Sequence, residues 1–391
     1  MSSTTQQKEK IKIIRTAAVP GSLYTLLKGQ LAYLNQEYEI IGVSSDGPLL
    51  QETSKREGIR TIAVPIERNI SPLKDLQGLF KLYKVLKEEK PYMVHSITPK
   101  AGLLSMMAAY FARVPKRVHM FTGLIFPTQT GFKKQLLLFF DKLICKFATH
   151  VYPEGNGVKN DLINFGVTKK PLNVIANGNV NGLNLDYFSP DHYSEEDTSA
   201  LKSQLNLSSS DFLWVYVGRL VNDKGVNELM EAFNSLTKKY KNTKLILVGS
   251  DDGETDILPL ATREIIHGHP DIVAIGQQKD VRPFLALADA FVFPSYREGF
   301  PNVVLEAGAM GLPAIVTDIN GSNEIIIDGE NGLIIPSKDS LALQKAMERF
   351  LTDSSLVNSM SQKARILIVN RYNRDLVWAA LSEEYKKIIA H

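Results

Sequence analysis

Two glutamates, Glu298 and Glu306, stand with seven residues between them in Glu298-Gly299-Phe300-Pro301-Asn302-Val303-Val304-Leu305-Glu306. Each carboxylate can accept a pair of hydrogen bonds from neighbouring hydroxyls. The apolar run at 291–293 reads as a buried strand, and 304–310 reads as a helix. The loop between them then carries amides to a helix N-terminus, where unpaired N–H groups and the helix dipole favour an anion. Glu306 falls on that helix among Val303, Val304, Leu305, Ala307 and Gly308. A carboxylate in so apolar a setting needs a ligand or a partner. A second cluster is Val215-Tyr216-Val217-Gly218-Arg219-Leu220-Val221-Asn222-Asp223-Lys224-Gly225. An apolar strand ends at Gly218, and Arg219 and Lys224 follow on the loop before a helix. Arg suits bidentate phosphate binding and Lys supplies a mobile point charge. Together they would hold a diphosphate and stabilise its charge as it leaves.

These groups need a frame to position them. In the first half, short apolar runs at 11–14, 38–43, 61–65, 92–96, 117–121 and 151–152 alternate with helical patterns at 22–34, 73–89, 101–111 and 132–149. A last strand of this half is expected at 172–177. The pattern restarts with strands at 212–217, 245–248, 272–275, 290–293, 314–317 and 332–335. Helices are expected at 226–240, 281–287, 304–310 and 340–351, and an amphipathic one at 374–389. Short buried strands separated by helices imply parallel sheets covered on both faces. The expected fold is α/β, with two Rossmann-like doubly wound domains facing a cleft. Ligands bind at the carboxyl ends of such strands. The expected division is 1–190, 191–371 and a C-terminal helix at 372–391 packing back on the first domain. The polar stretch 178–211, with its acidic run Glu195-Glu196-Asp197, reads as the loop-rich region between domains.

A chain of 391 residues suits two domains. Its single cysteine, Cys145, excludes a disulfide framework and points to a reducing, cytoplasmic setting. No apolar run reaches the ~18 residues that span a bilayer, and no secretory signal peptide is expected. The net charge of +3 hides an asymmetry. Residues 1–190 carry 25 Lys and Arg against 14 Asp and Glu, and the remainder 20 against 28. A basic half attracts phosphates or an anionic membrane surface; nucleic acid is not an expected partner.

On these two motifs, residues 213–336 resemble the donor domain of the retaining GT-B glycosyltransferases of family 4, particularly those that build bacterial capsules and lipid-linked oligosaccharides. The resemblance implies a metal-independent hexosyltransferase without a cofactor. Arg219 and Lys224, after Gly218, would bind the donor diphosphate. Glu306 would hold the ribose hydroxyls. Glu298, with the amides of the loop formed by Phe300, Pro301, Asn302 and Val303 (Pro301 itself having no N–H to donate), would hold the transferred sugar and phosphate. Asp318-Ile319-Asn320-Gly321 resembles a later glycine loop near the donor, and the base would lie by Gln277. No Asp-x-Asp metal triad is expected at the acid pair Asp251-Asp252.

The first half resembles the acceptor domain more loosely. Pro20-Gly21-Ser22 stands where the family has a glycine loop, so Gly21 and Ser22 would touch the donor; a mere tight turn is the alternative. Thr122 stands where many members carry a site histidine. His95, at a strand end, is a candidate for acceptor binding or a packed side chain, and His119 is expected to be structural. The segment 131–147 is apolar with Lys133, Lys134, Lys142 and Lys146, and would be either a core helix or a membrane-surface element. The implied partners are a nucleotide-sugar donor, probed first as a UDP-sugar, and a glycan or polyprenyl-diphosphate-linked acceptor. Rival readings are a nucleotide-sugar epimerase of the same fold and a non-catalytic sugar-binding protein. An NAD oxidoreductase would need a Gly-x-Gly-x-x-Gly run, which neither 19–22 nor 248–253 supplies.

Overall fold

The computed structural model describes residues 10–66, 71–251 and 256–391, and of Pro72 the backbone only; Asp252 therefore lies outside the described residues. The chain divides into two compact units, Met1–Gly182 with Asp375–His391, and Leu183–Arg374.

The first unit holds six parallel strands: β1 (Lys12–Thr16), β2 (Glu39–Ser44), β3 (Arg60–Ala63), β4 (Met93–Ser96), β5 (Lys116–Phe121) and β6 (His150–Pro153). Their order is β3-β2-β1-β4-β5-β6. Helices α1 (Pro20–Leu26), α2 (Gln30–Asn35), α3 (Pro48–Glu57), α4 (Pro72–Glu89), α5 (Pro99–Phe111), α6 (Gly131–Phe147) and α7 (Asn156–Asn164) connect them. Alternate strand residues enter different cores. Ile14, Ile41 and Val94 join one cluster with α4 to α7, while Ile13, Ile40 and Met93 join another with α1 and α2. Burial on both faces is why these strands read as continuous apolar runs.

The second unit follows α8 (Glu195–Gln204) with β7 (Phe212–Val217), α9 (Val226–Lys239), β8 (Thr243–Val248), α10 (Leu260–Gly268), β9 (Ile272–Gly276), α11 (Arg282–Leu287), β10 (Ala290–Phe293), α12 (Asn302–Ala309), β11 (Ala314–Thr317), α13 (Ser322–Ile325), β12 (Gly332–Ile335), α14 (Ser340–Thr352) and α15 (Ser354–Tyr372). The sheet order is β12-β11-β10-β7-β8-β9, all parallel. The final helix α16 (Arg374–Ala390) gives Leu381, Tyr385 and Ile388 to the second core of the first unit.

The structure corrects several expected elements. The helix expected at 22–34 is two helices, α1 and α2, broken at Gly29. Gly29 has φ +81°, and a Cβ there would stand 2.7 Å from the Trp378 ring, so no other residue fits without rearrangement. No strand forms at 172–177. Pro171 withholds an N–H at its start, Ala176 and Gly178 turn the chain with φ +51° and +97°, and Leu172 and Ile175 plug into the cores instead. The acidic run 195–197 is not loop but the first turn of α8, where negative charge complements the helix dipole. Ser194 and Asp197 form a reciprocal capping box there, with bonds of 3.1 and 2.9 Å. Helix α15, capped by the Asp353 carboxylate 2.9 Å from the Leu356 amide, was not expected.

Candidate active site

In the second unit, β7 and β10 are neighbours at the point where the strand order reverses. This is where a doubly wound sheet opens a binding crevice at its carboxyl edge. Arg219 and Lys224 follow β7, and Glu298 and Glu306 follow β10, so the topology brings both sequence motifs to one place. Gly225, with φ +70°, makes the junction possible: a Cβ there would lie 1.9 Å from the Pro294 carbonyl oxygen. The Tyr296 amide donates to the Asp223 carbonyl at 2.9 Å, tying the two loops together.

Lys224 Nζ donates to Glu298 Oε1 and lies 5.8 Å from the centre of the Phe293 ring. The buried Ser295 hydroxyl donates to the same carboxylate oxygen at 2.8 Å. Thr317 of β11 donates to the Ser295 carbonyl, which holds the start of this loop against the neighbouring strand. Gly321, with φ +76°, lets the loop after β11 approach Gly299 and Phe300; a Cβ would meet the Gly299 oxygen at 2.5 Å. Phe300 is buried edge-on to Tyr372, with ring centres 5.5 Å apart, while Asn302 opens α12 with an exposed side chain. Ser295 and Tyr372 were missed as positioning residues; Ser295, three residues before Glu298, was visible in the sequence.

Glu306 sits half-buried on α12 with no hydrogen-bond partner among the described residues. Burial pushes its carboxyl up to about 7, since a charge without water or a partner is costly. Arg219 is exposed, its guanidinium without a partner among the described residues; the Tyr216 hydroxyl fixes its backbone carbonyl at 2.9 Å. One side thus offers Arg219 without a partner and Lys224 paired to Glu298, the other a carboxyl lacking donors among the described residues. Gln277 is exposed on the loop after β9.

The remaining candidates lie in the first unit. Gly21 and Ser22 form the first turn of α1 rather than a free loop. They line a cavity of about 890 Å³ at the carboxyl ends of β1, β4 and β5, where that sheet's order also reverses. Thr122 follows β5 and is half-buried. His95 is only 1% exposed and does not line the cavity. Its Nδ1 lies 2.6 Å from the Tyr385 hydroxyl, which also accepts a 2.9 Å bond from buried Arg15. Burial, then the nearby Arg15 charge, holds its pKa well below the ordinary value. These contacts fit the packed, neutral side chain of the two alternatives. His119 is equally internal, 2.8 Å from the Ser96 hydroxyl, with its pKa lowered to about 3 by burial.

Among the described residues, no group of three or more His, Cys, Asp and Glu is placed to hold a metal ion, and no helix is long and apolar enough to cross a membrane.

Comparison with known proteins brings the two units under related descriptions. The family described as Glycosyl transferases group 1 matches residues 197–367, and that described as Glycosyltransferase Family 4 matches 22–179. The capsular polysaccharide biosynthesis glycosyltransferase CapM of Staphylococcus aureus is 30% identical over 380 residues, covering 97% of both chains. The UDP-Gal:alpha-D-GlcNAc-diphosphoundecaprenol alpha-1,3-galactosyltransferase of Escherichia coli is 30% identical, over 93% of this chain and 94% of its own. The solved structure of HepE from Anabaena in complex with UDP matches with a TM-score of 0.80 at 20% identity, covering 97% of this chain and 100% of that one; this is a likeness of fold.

Proposed function

The chain belongs to the group 1, family 4 glycosyltransferases of GT-B fold, and from that premise we propose that it moves a hexose-type sugar from a UDP-sugar onto a lipid-diphosphate-linked glycan during synthesis of a bacterial surface polysaccharide. The observation that carries the donor half is the meeting of Lys224, Ser295 and Glu298 beside the unpartnered Glu306 carboxyl at one sheet edge. The acceptor half draws on the E. coli relative, whose name specifies a diphosphoundecaprenol-linked sugar.

In this reading Glu306 accepts the ribose hydroxyls, which replace the water its burial excludes. The Phe300–Val303 backbone (residues 300–303) and Gly321 enclose the sugar phosphate. The acceptor hydroxyl attacks the anomeric carbon on the face from which the diphosphate departs. The glycosidic bond to the acceptor forms as the bond to UDP breaks, and a donor phosphate oxygen takes the hydroxyl proton. The anomeric configuration is retained. Arg219 and Lys224 offset the charge that develops on the leaving diphosphate, the part a metal ion would otherwise play. Glu298 aligns Lys224 and meets the sugar hydroxyls; no protein nucleophile is required.

A thermal-shift panel of nucleotide-sugars tests the donor assignment, because binding stabilises the folded state by RT ln(1 + L/Kd), L being the free ligand concentration. UDP-sugars are expected to raise Tm and GDP-sugars to leave it unchanged; the reverse order would overturn the choice of base.

The same reading places the protein peripherally on the cytoplasmic face of a membrane. Phe132 and Phe139 on α6 are 81% and 54% exposed, and Lys133, Lys142 and Lys146 are exposed beside them, the combination that binds anionic lipid surfaces. Flotation with anionic liposomes at low salt is expected to carry the protein, and the double variant Lys133→Ala/Lys134→Ala to weaken it. Equal behaviour with neutral liposomes would contradict this.

A further inference from the structure

The cavity of the first unit is lined on most of its surface by hydrocarbon, including Val19, Leu26, Leu103, Leu137 and Phe140. The hydroxyls of Ser22, Thr25 and Thr98 lie among this hydrocarbon, so the wall offers a few hydrogen-bonding groups beside a mainly apolar surface. Its charged groups are few. Lys100 is held 2.6 Å from the Asp75 carboxylate. Asp141 is pushed up to about 7 by burial, so near neutrality it repels an anion weakly. Lys133 is exposed and, among the described residues, has no carboxylate partner. A mainly apolar chamber with Lys133 unpaired at its wall, among the described residues, suits an amphiphile with an anionic head and a hydrocarbon tail.

The surroundings agree. Leu73, Leu76 and Phe80 form a stripe along α4, exposed by 79%, 51% and 61%. On α6, Lys133, Leu137, Phe140 and Asp141 turn one face to the cavity, while Phe132 and Phe139 lie exposed on an adjacent face. Helices α4 and α6 each pack against α5. Exposed apolar side chains in such number mark an interaction surface.

We infer that this cavity takes the isoprenoid-diphosphate end of the lipid-linked acceptor, the first isoprene units lying along Leu103, Leu137 and Phe140 and the diphosphate meeting Lys133. The inference rests on the reading that the acceptor is lipid-linked and locates the part of the site that recognises the lipid.

The test uses the full chain and geranylgeranyl diphosphate as probe, titrated calorimetrically below its micelle concentration with UDP at saturation, so that the second unit cannot capture the diphosphate. Inorganic diphosphate and palmitoyl phosphate are the comparison probes. Leu137→Trp intrudes on the path of the isoprene units and is expected to weaken geranylgeranyl diphosphate binding about tenfold, the loss of less than two buried methylenes. Lys133→Glu, at an exposed position that leaves folding intact, is expected to weaken it by a similar factor. Inorganic diphosphate is expected to bind weakly and without response to Leu137→Trp. No binding of the probe to the wild type, binding unchanged in both variants, or equal affinity for palmitoyl phosphate would each overturn the inference. The separate UDP titration reads the donor site, so a failed lipid site and a failed donor site give different results.

Discussion

At the residue scale, Glu306 is the side chain whose cost points to its use. Among the described residues it is a carboxyl without a partner on a helix packed into the core, and its pKa is raised to about 7 by burial. In the unfolded chain it returns to its ordinary value of 4.5, so folding favours its protonated form. The stability this provides is complete below pH 4.5 and is lost as pH rises through about 7. At pH 8 the charged carboxylate therefore weakens the fold. Glu306→Gln is expected to raise stability at pH 8 by about 1–3 kcal/mol, with the difference closing as pH falls toward 4.5; denaturant unfolding at several pH values measures it. A variant that stabilises the fold while impairing donor binding is the signature of a group kept for function. A Glu306→Gln protein less stable than the wild type at pH 8 would contradict this account of the residue.

At the element scale, the site depends on how tightly the loops after β7 and β10 approach. Gly225 has φ +70° and stands against the Pro294 carbonyl, so Gly225→Ala must both strain its backbone and separate the loops. It is expected to cost more than about 1 kcal/mol and to weaken UDP binding, because Lys224 is displaced from Glu298. Unaltered UDP affinity in a folded Gly225→Ala protein would show that the junction does not set the site. The same elements show what a sequence can and cannot display. Most strands were legible because both faces are buried, leaving apolar runs without alternation, while the edge strands β3 and β9 are partly exposed; the false strand, expected at 172–177, directly follows Pro171. The break at Gly29 was not legible, since it is set by Trp378 on a helix distant in sequence. The cap Ser194 and Asp197 stood in plain view, but the polar character of α8 disguised it as loop.

At the scale of the whole molecule, each unit carries its own hydrophobic core. The clustering of the proposed donor residues was legible because Arg219, Lys224, Glu298 and Glu306 follow two strands, β7 and β10, that the parallel order then makes neighbours. The first unit was less legible. The contact between His95 and Tyr385 joins a strand end to the last helix, and the cavity is assembled from α1, α4, α5 and α6, so no local motif announces either. The basic first half and acidic second half fit the division of labour proposed, an anionic lipid acceptor in one and a neutral-to-acidic surface around a small cationic donor site in the other. The most direct test of the central claim is turnover of a UDP-sugar, by hydrolysis or transfer, in the wild type, Lys224→Ala and Glu306→Ala, each shown to be folded by its melting curve. The account predicts that Lys224→Ala lowers kcat by about 10²–10³ and that Glu306→Ala chiefly raises the donor KM. Full wild-type turnover in both variants would contradict it.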